Sequence, residues 1–305
     1  MTTTATTHHY AHIGERLRLR RQNAHLSTEQ VARAAGISRA LLYRYESGDV
    51  VKLEVLEKLA RLYETSTGAL LGLGNEYITH GMLFFDRQQR LEADATQMTV
   101  VFGPQAYMLS SDAYDTALAE RLVDRRDDQT ALSPPEAERL MHILAKRKAT
   151  FARNRPALVN IVPVSDIERY LTHGLGGHPL LPAAERAARR LAARREMERL
   201  AGLIASPPMG VQIVLTTQPL PTTGFQLVQL PHGRRVLVTS PFRIVEPTNL
   251  HYGVAMISED QEALRLHETL AARLWESALK GAAASAELAR LLRDHADPTD
   301  PTMGA

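Results

Sequence analysis

The stretch LSTEQVARAAGISRALLYRYESG, residues 26–48, decides how the N-terminal part of the chain folds. Ser27-Thr28-Glu29-Gln30 has the composition of a capping box. A Ser27 hydroxyl at the N-cap is placed to accept the Gln30 amide, and the Gln30 side chain can reach back to the Ser27 amide. Val31, Ala32 and Ala35 then recur at helical spacing, and Gly36 tolerates the left-handed conformation that stops a helix. Ser38 caps a second helix with Leu41, Leu42 and Tyr45, which ends at Ser47-Gly48. Small alanines allow close packing of the two helices. Ile37 plugs the turn and Leu42 faces inward, which leaves Ser38, Arg39, Ala40, Tyr43 and Arg44 on the exposed face of the second helix.

Outward from this pair the helical pattern continues. Residues 9–23 form a helix with Ile13 and Leu17 inward. Residues 53–64 place Leu53, Leu56, Leu59, Ala60 and Tyr63 at helical spacing, and a last turn over 67–71 follows the capping residue Ser66. The Gly-rich residues 72–75 read as a linker. Residues 9–74 are therefore an all-α five-helix unit, preceded by a Thr-rich leader over 1–8 expected to be disordered. Residues 1–74 hold ten Lys/Arg against seven Asp/Glu, a modestly basic head on a nearly neutral body.

The pattern over 26–48, with the downstream helix and Leu70-Leu71-Gly72, resembles the Xre (lambda-repressor-like) helix-turn-helix family. That resemblance implies a DNA-binding domain whose second helix enters the major groove while the first rests on the backbone. Carried over position by position, it puts Thr28 and Lys52 on phosphates and Ser38 on a phosphate through its hydroxyl. Arg39 and Arg44 reach base edges, and Ala40 meets a thymine methyl. Tyr43 divides evenly between backbone contact and partial packing. Arg21 and Glu46 correspond to a structural ion pair bracing the first helix against the end of the third.

Residues 75–295 read as a mixed α/β (α+β) domain, making the chain multidomain, with a disordered tail over 296–305. Helices are expected over 77–94, 111–125, from Ser133-Pro134 toward Phe151, 165–171, 183–205, 260–280 and 285–293. Strands are expected over 157–164, 211–216, 224–230 and 235–239, with a further apolar stretch at 98–102. The charged run 124–129 reads as a solvated helix end. Arg186, Arg189, Arg190, Arg194, Arg195 and Arg199 line one helix and read as a solvated face paired with Glu185, Glu196 and Glu198. This body resembles the C-terminal domain of antitoxin-like actinobacterial Xre regulators. The resemblance rests on Met108-Leu109-Ser110-Ser111-Asp112-Ala113-Tyr114, Arg195-Glu196-Met197-Glu198-Arg199-Leu200, Val211-Gln212-Ile213-Val214-Leu215, Gly224-Phe225 and the helix with Trp275.

The chain has no cysteine, which excludes disulfides, thiol nucleophiles and zinc fingers. It has no signal peptide and no apolar run long enough for a membrane span, so a cytoplasmic location is expected. His173, His178, His232, His251 and His267 are dispersed without metal-binding spacing, and the Gly174–His178 run lacks phosphate-loop spacing. No Gly-x-Ser-x-Gly elbow is present. The expectation is a protein that is not an enzyme and needs no cofactor or metal. It would bind double-stranded DNA as a homodimeric repressor, with a body that dimerises and senses a small-molecule effector or a protein partner. The alternative is an antitoxin-type protein that binds a partner protein and autoregulates its operon.

Overall fold

A computed structural model describes residues 3–71, 75–123, 131–176, 181–218, 224–244 and 250–295, with side chains from Ile13 onward. The first unit is five helices: α1 (Thr3–Asn23), α2 (Thr28–Ala35), α3 (Arg39–Glu46), α4 (Leu53–Leu62) and α5 (Thr67–Leu71). Their core is Ile13, Leu17, Val31, Ala32, Ala35, Leu42, Tyr45, Leu56, Leu59 and Leu70, inward positions of the helical pattern; Leu53, read at the same spacing, is 63% exposed and Val55 is buried in α4 instead. Helix α1 begins at Thr3, so residues 3–8 extend a helix where the sequence reads a disordered leader. Lengthening an existing helix adds a hydrogen bond per residue without a new nucleus, which offsets the low propensity of threonine.

Helix α1 crosses the end of α3 at Gly14. A Cβ there would lie 2.5 Å from the Tyr45 carbonyl oxygen and 2.6 Å from the Gly48 amide, so only glycine permits this approach.

The body is built on one seven-stranded sheet in the order β1-β7-β6-β5-β2-β3-β4. The strands are β1 (Glu76–Ile78), β2 (Gln97–Val101), β3 (Ala157–Pro163), β4 (Val211–Thr216), β5 (Gly224–Gln229), β6 (Arg235–Ser240) and β7 (Ala255–Ser258). β2, β3 and β4 run parallel, joined by helices; the remaining pairs are antiparallel. Alternation along each strand sends residues to opposite faces. Met98, Val100, Leu158, Val162, Val228 and Val238 pack under a thick helical layer, drawn from α6 (Gly81–Ala93), α7 (Asp112–Val123), α8 (Pro134–Asn154), α9 (Val164–His173), α10 (Ala183–Ala205) and α12 (Gly281–Asp294). Val101, Ile161, Val214, Phe225 and Leu237 face the single helix α11 (Gln261–Ser277) through Leu264, Ala271 and Leu274. No helix among the described residues is long and apolar enough to cross a membrane.

Three readings of the body change. Residues 76–78 are a strand, not the start of a helix: they pair with β7, and Gly81 restarts the chain as α6. β7 itself escapes sequence reading because it is four residues long. The Arg-rich helix α10 pairs Arg189 with Glu185 at 2.9 Å and Arg194 with Glu198 at 3.0 Å, as expected, but it is not a simply solvated face. Glu196 is 3% exposed and accepts hydrogen bonds from Gln105, the Ser111 amide and the Ser111 hydroxyl. Arg189, Arg194 and Arg199 reach the carbonyls of Gly176, Leu292 and Leu109. A helix wedged between neighbours spends its arginine donors on the backbone carbonyls of those neighbours. The 72–74 part of the linker, the run 124–129, His178 and the tail 296–305 lie outside the described residues.

The two units meet along a seam on the outer face of α1. Leu19 is buried in the body's core. Arg16 pairs with Glu259 at 3.4 Å, and Glu259 also holds Arg234 at 2.6 Å. Glu15 lies 3.6 Å from both Arg87 and Arg90 of α6. The Arg20 guanidinium donates to the Tyr77 carbonyl. His25 and His80 bring their Nε2 atoms to 3.1 Å. Burial, then His25 and His251, lower the His80 pKa.

Two predictions follow from this packing. Gly14→Ala should destabilise the first unit by about 1–3 kcal/mol through overpacking, read as a lower urea midpoint. For His80, the unfolded chain takes a proton near the ordinary histidine value and the folded chain only at lower pH. Stability should therefore be independent of this group above about pH 6.5 and fall on acidification until His80 titrates in the fold. Melting temperature against pH should show this fall for the parent chain and a shallower one for His80→Asn.

Candidate nucleic-acid interface

The capping box forms as the sequence implies. Ser27 Oγ accepts from the Gln30 amide at 3.2 Å and Gln30 Oε1 accepts from the Ser27 amide at 2.8 Å. Gly36 sits at φ 70°, ψ 36° and closes α2. Ser38 Oγ accepts from the Leu41 amide at 3.1 Å, so one lone pair of its hydroxyl is committed to the cap while its proton is free to donate. Gly48, at φ 102°, follows the end of α3.

These caps hold α3 with Leu42 and Tyr45 buried and with Ser38, Arg39, Ala40, Tyr43 and Arg44 exposed. Residues 12–72 match the family model of a helix-turn-helix domain. The first unit is a helix-turn-helix DNA-binding domain. No curated protein and no solved structure matches the chain.

Within this domain the sequence-predicted residues differ in readiness. Arg39 is exposed and makes no ion pair among the described residues. Arg44 is exposed but paired to Asp49 at 2.5 Å, so reaching a base requires breaking or sharing that contact. Sequence reading passed over Asp49 because it lies beyond the Gly48 stop, outside the helical spacing used to pair charges. Tyr43 is 56% exposed, which puts its ring outside the core. Thr28 is half-buried at the first position of α2. Lys52 is the N-cap of α4 and gives no side-chain cap. The Val55 amide bonds the Lys52 carbonyl at 3.0 Å, which leaves the Leu53 and Glu54 amides at the helix start, a position that favours an anion.

Arg21 and Glu46 stand apart from this face. Arg21 Nε and Nη2 meet Glu46 Oε1 and Oε2 at 2.7 and 3.0 Å, and Arg21 Nη1 also donates to the Leu26 carbonyl. The Glu46 side chain is 5% exposed. The hydrogen bond to Glu46 is the main reason the Arg21 pKa is raised despite burial. This fork clamps α1 to the end of α3 and so fixes α3 in the domain. Arg21→Ala leaves a buried carboxylate without its counter-ion. It should cost about 3 kcal/mol in chemical denaturation, while the conservative Arg21→Lys, which lacks the fork, should recover only part of it.

Proposed function

We propose that the protein is a transcriptional regulator of the Xre type, a homodimeric repressor that reads a roughly palindromic operator. The observation that carries this reading is the capped, exposed α3 with Arg39 unpaired at its start. Arg39 and Arg44 are the base readers, Ser38, Thr28 and Lys52 hold phosphates, and Ala40 meets a thymine methyl. A single α3 offers only a few base contacts, each worth about 1–3 kcal/mol. Specific regulators typically exceed nonspecific binding by about 4–10 kcal/mol, so two copies on two half-sites supply what one cannot. Repression then follows from occupancy of a promoter, with no catalytic step.

The seam supports a role for the body in regulation. Helix α6 touches the DNA-binding domain through Arg87 and Arg90 on Glu15, and a shift of α6 changes those contacts. Arg87 is also held by Glu76 at 3.3 Å. Burial alone would lower its pKa, but the Glu76 and Glu15 carboxylates outweigh that and raise it.

Selection from random duplexes should yield a motif with two half-sites about 34–36 Å apart, and footprinting at the protein's own promoter should protect a matching region. Arg39→Ala should relax one position of the motif and cost about 1–3 kcal/mol. Lys52→Ala should weaken all sequences alike and reduce the salt slope by about one. Asp49→Ala, which releases Arg44 and removes a negative charge facing phosphates, should strengthen binding. An unchanged motif with Arg39→Ala overturns the base-reading assignment, and a monomer on a single half-site overturns the dimer.

A further inference from the structure

A cavity of about 510 Å³ lies under the helical layer of the body, within the size range of small-molecule sites. Aromatic side chains, among them Phe84, Phe102, Tyr107 and Phe242, line it beside the charged Glu92, Arg147, Asp166 and Arg243. Three polar side chains that line it carry a buried atom with no hydrogen-bond partner: Gln88 Oε1, Gln105 Oε1 and Tyr170 Oη. Gln88, Gln105 and Tyr170 are 6%, 8% and 8% exposed. Buried polar atoms without partners are rare in folded proteins because each loses its hydration without replacement. Three around one cavity indicate partners that come from outside the chain.

The carboxylates behind these amides determine what those partners are. Glu92 is held by Arg147 through two bonds of 2.7 and 2.8 Å, with both side chains almost fully buried. An ionised carboxylate only accepts, so Gln226 must turn its amide nitrogen to Glu92, at 3.2 Å. Gln226 Oε1 is then left to accept from Gln88 Nε2, at 2.8 Å. Gln88 Oε1 is thereby left as the unpartnered atom of this chain of amides, on a residue that lines the cavity. Glu196 acts likewise on Gln105: it accepts from Gln105 Nε2 at 2.8 Å, leaving Oε1 free. Both free amide atoms are acceptors whose orientation is fixed, and the Tyr170 hydroxyl can take either role.

We propose that this cavity is the effector site of the regulator and that it takes a planar, polycyclic aromatic molecule with hydroxyl or N–H donors. Rings stack against the aromatic walls, and the donors meet Gln88 Oε1 and Gln105 Oε1. The proposal rests on the regulatory reading above for the word effector, but binding itself is independent of DNA.

The test uses the full-length protein, isothermal titration calorimetry, and three probes paired with their methyl ethers: 7-hydroxycoumarin, 7-hydroxyflavone and 2-hydroxyanthraquinone. At least one hydroxyl probe should bind with a Kd below about 100 µM, and its ether about tenfold or more weakly, the equivalent of one lost hydrogen bond to a buried acceptor. In Gln88→Met and Gln105→Met the preference for hydroxyl over ether should shrink about tenfold for the amide that a given probe engages. This ratio is measured on folded protein and does not depend on the fraction that folds. Absence of binding by all six compounds overturns the proposal, as does equal affinity for hydroxyl and ether, or an unaltered ratio in both variants. A negative result in calorimetry leaves DNA binding as measured by selection intact, and loss of DNA binding leaves the calorimetry intact.

Discussion

Helix α1 has two faces and buries both. Ile13 and Leu17 enter the core of the DNA-binding domain, while Leu19 enters the core of the body. Glu15, Arg16 and Arg20 also point at the body. A helix wet on one side tolerates a polar stripe there at little cost. This one instead has charged residues in contact with a second unit, and each needs a counter-charge: Arg16 is 9% exposed, and burial lowers its pKa despite Glu259. The rest follows from this arrangement. Gly14 lets the same helix approach α3, and Arg21 grips Glu46, so α3 is referenced to α1 and α1 is referenced to the body.

The polar interior of the body follows a comparable logic. A sheet covered by helices on one face would be expected to have a purely apolar filling on that side. Glu92, Arg147, Gln226, Gln88, Gln105, Glu196 and Asn160 interrupt it. Asn160, fully buried on β3, accepts from the Ala106 amide and donates to the Val100 carbonyl, and so holds the segment after β2 as a cavity wall. Replacing a buried ion pair by apolar residues is often neutral or stabilising, so Glu92–Arg147 is poorly explained by stability alone. Its geometric consequence, the fixed orientation of two amides, is a more specific one.

How much was legible follows from the range of each interaction. The caps at Ser27 and Ser38, the stop at Gly36 and the inward Leu42 are set within four residues of chain, and all appear as read. The Arg21–Glu46 pair spans 25 positions and was reached only through resemblance to a family. Gly14 gave no local signal, since what demands it is the backbone of residues 45–48. Asp49 was hidden for a similar reason, lying past the helix that carries its partner. The cavity was out of reach entirely. Gln88 and Gln226 are 138 positions apart, Gln105 and Glu196 are 91 apart, and Arg147 and Glu92 are 55 apart. Gln226 reaches Gln88 because β5 lies beside β2 rather than beside β4, and the other two pairs form only where elements of the same helical layer pack together. On α10, the glutamates looked like helical salt-bridge partners, and only the position of the segment before α7 shows that Glu196 faces inward.

The two arrangements share α6. Phe84, Gln88 and Glu92 recur every four residues along one side of it and line the cavity; Arg87 and Arg90 lie on another side and face Glu15. Packed helices move as rigid units rather than deform, so Gln88 cannot be displaced without displacing its neighbour Arg87. The seam contacts are suited to register such a shift. At 3.6 Å the Glu15 pairs stand at the long end of charge contact, and closing or opening them by an ångström changes their strength in a partly buried setting, where screening is weak. An allosteric coupling of about 1–3 kcal/mol is typical, and a few such contacts are of that order. Any molecule that binds the cavity equally well in both positions of α6 transmits nothing, however tightly it binds. On the proposal above, a ligand donor at the Gln88 carbonyl would rest on the helix that carries the seam, the arrangement in which affinity would change with the position of α6.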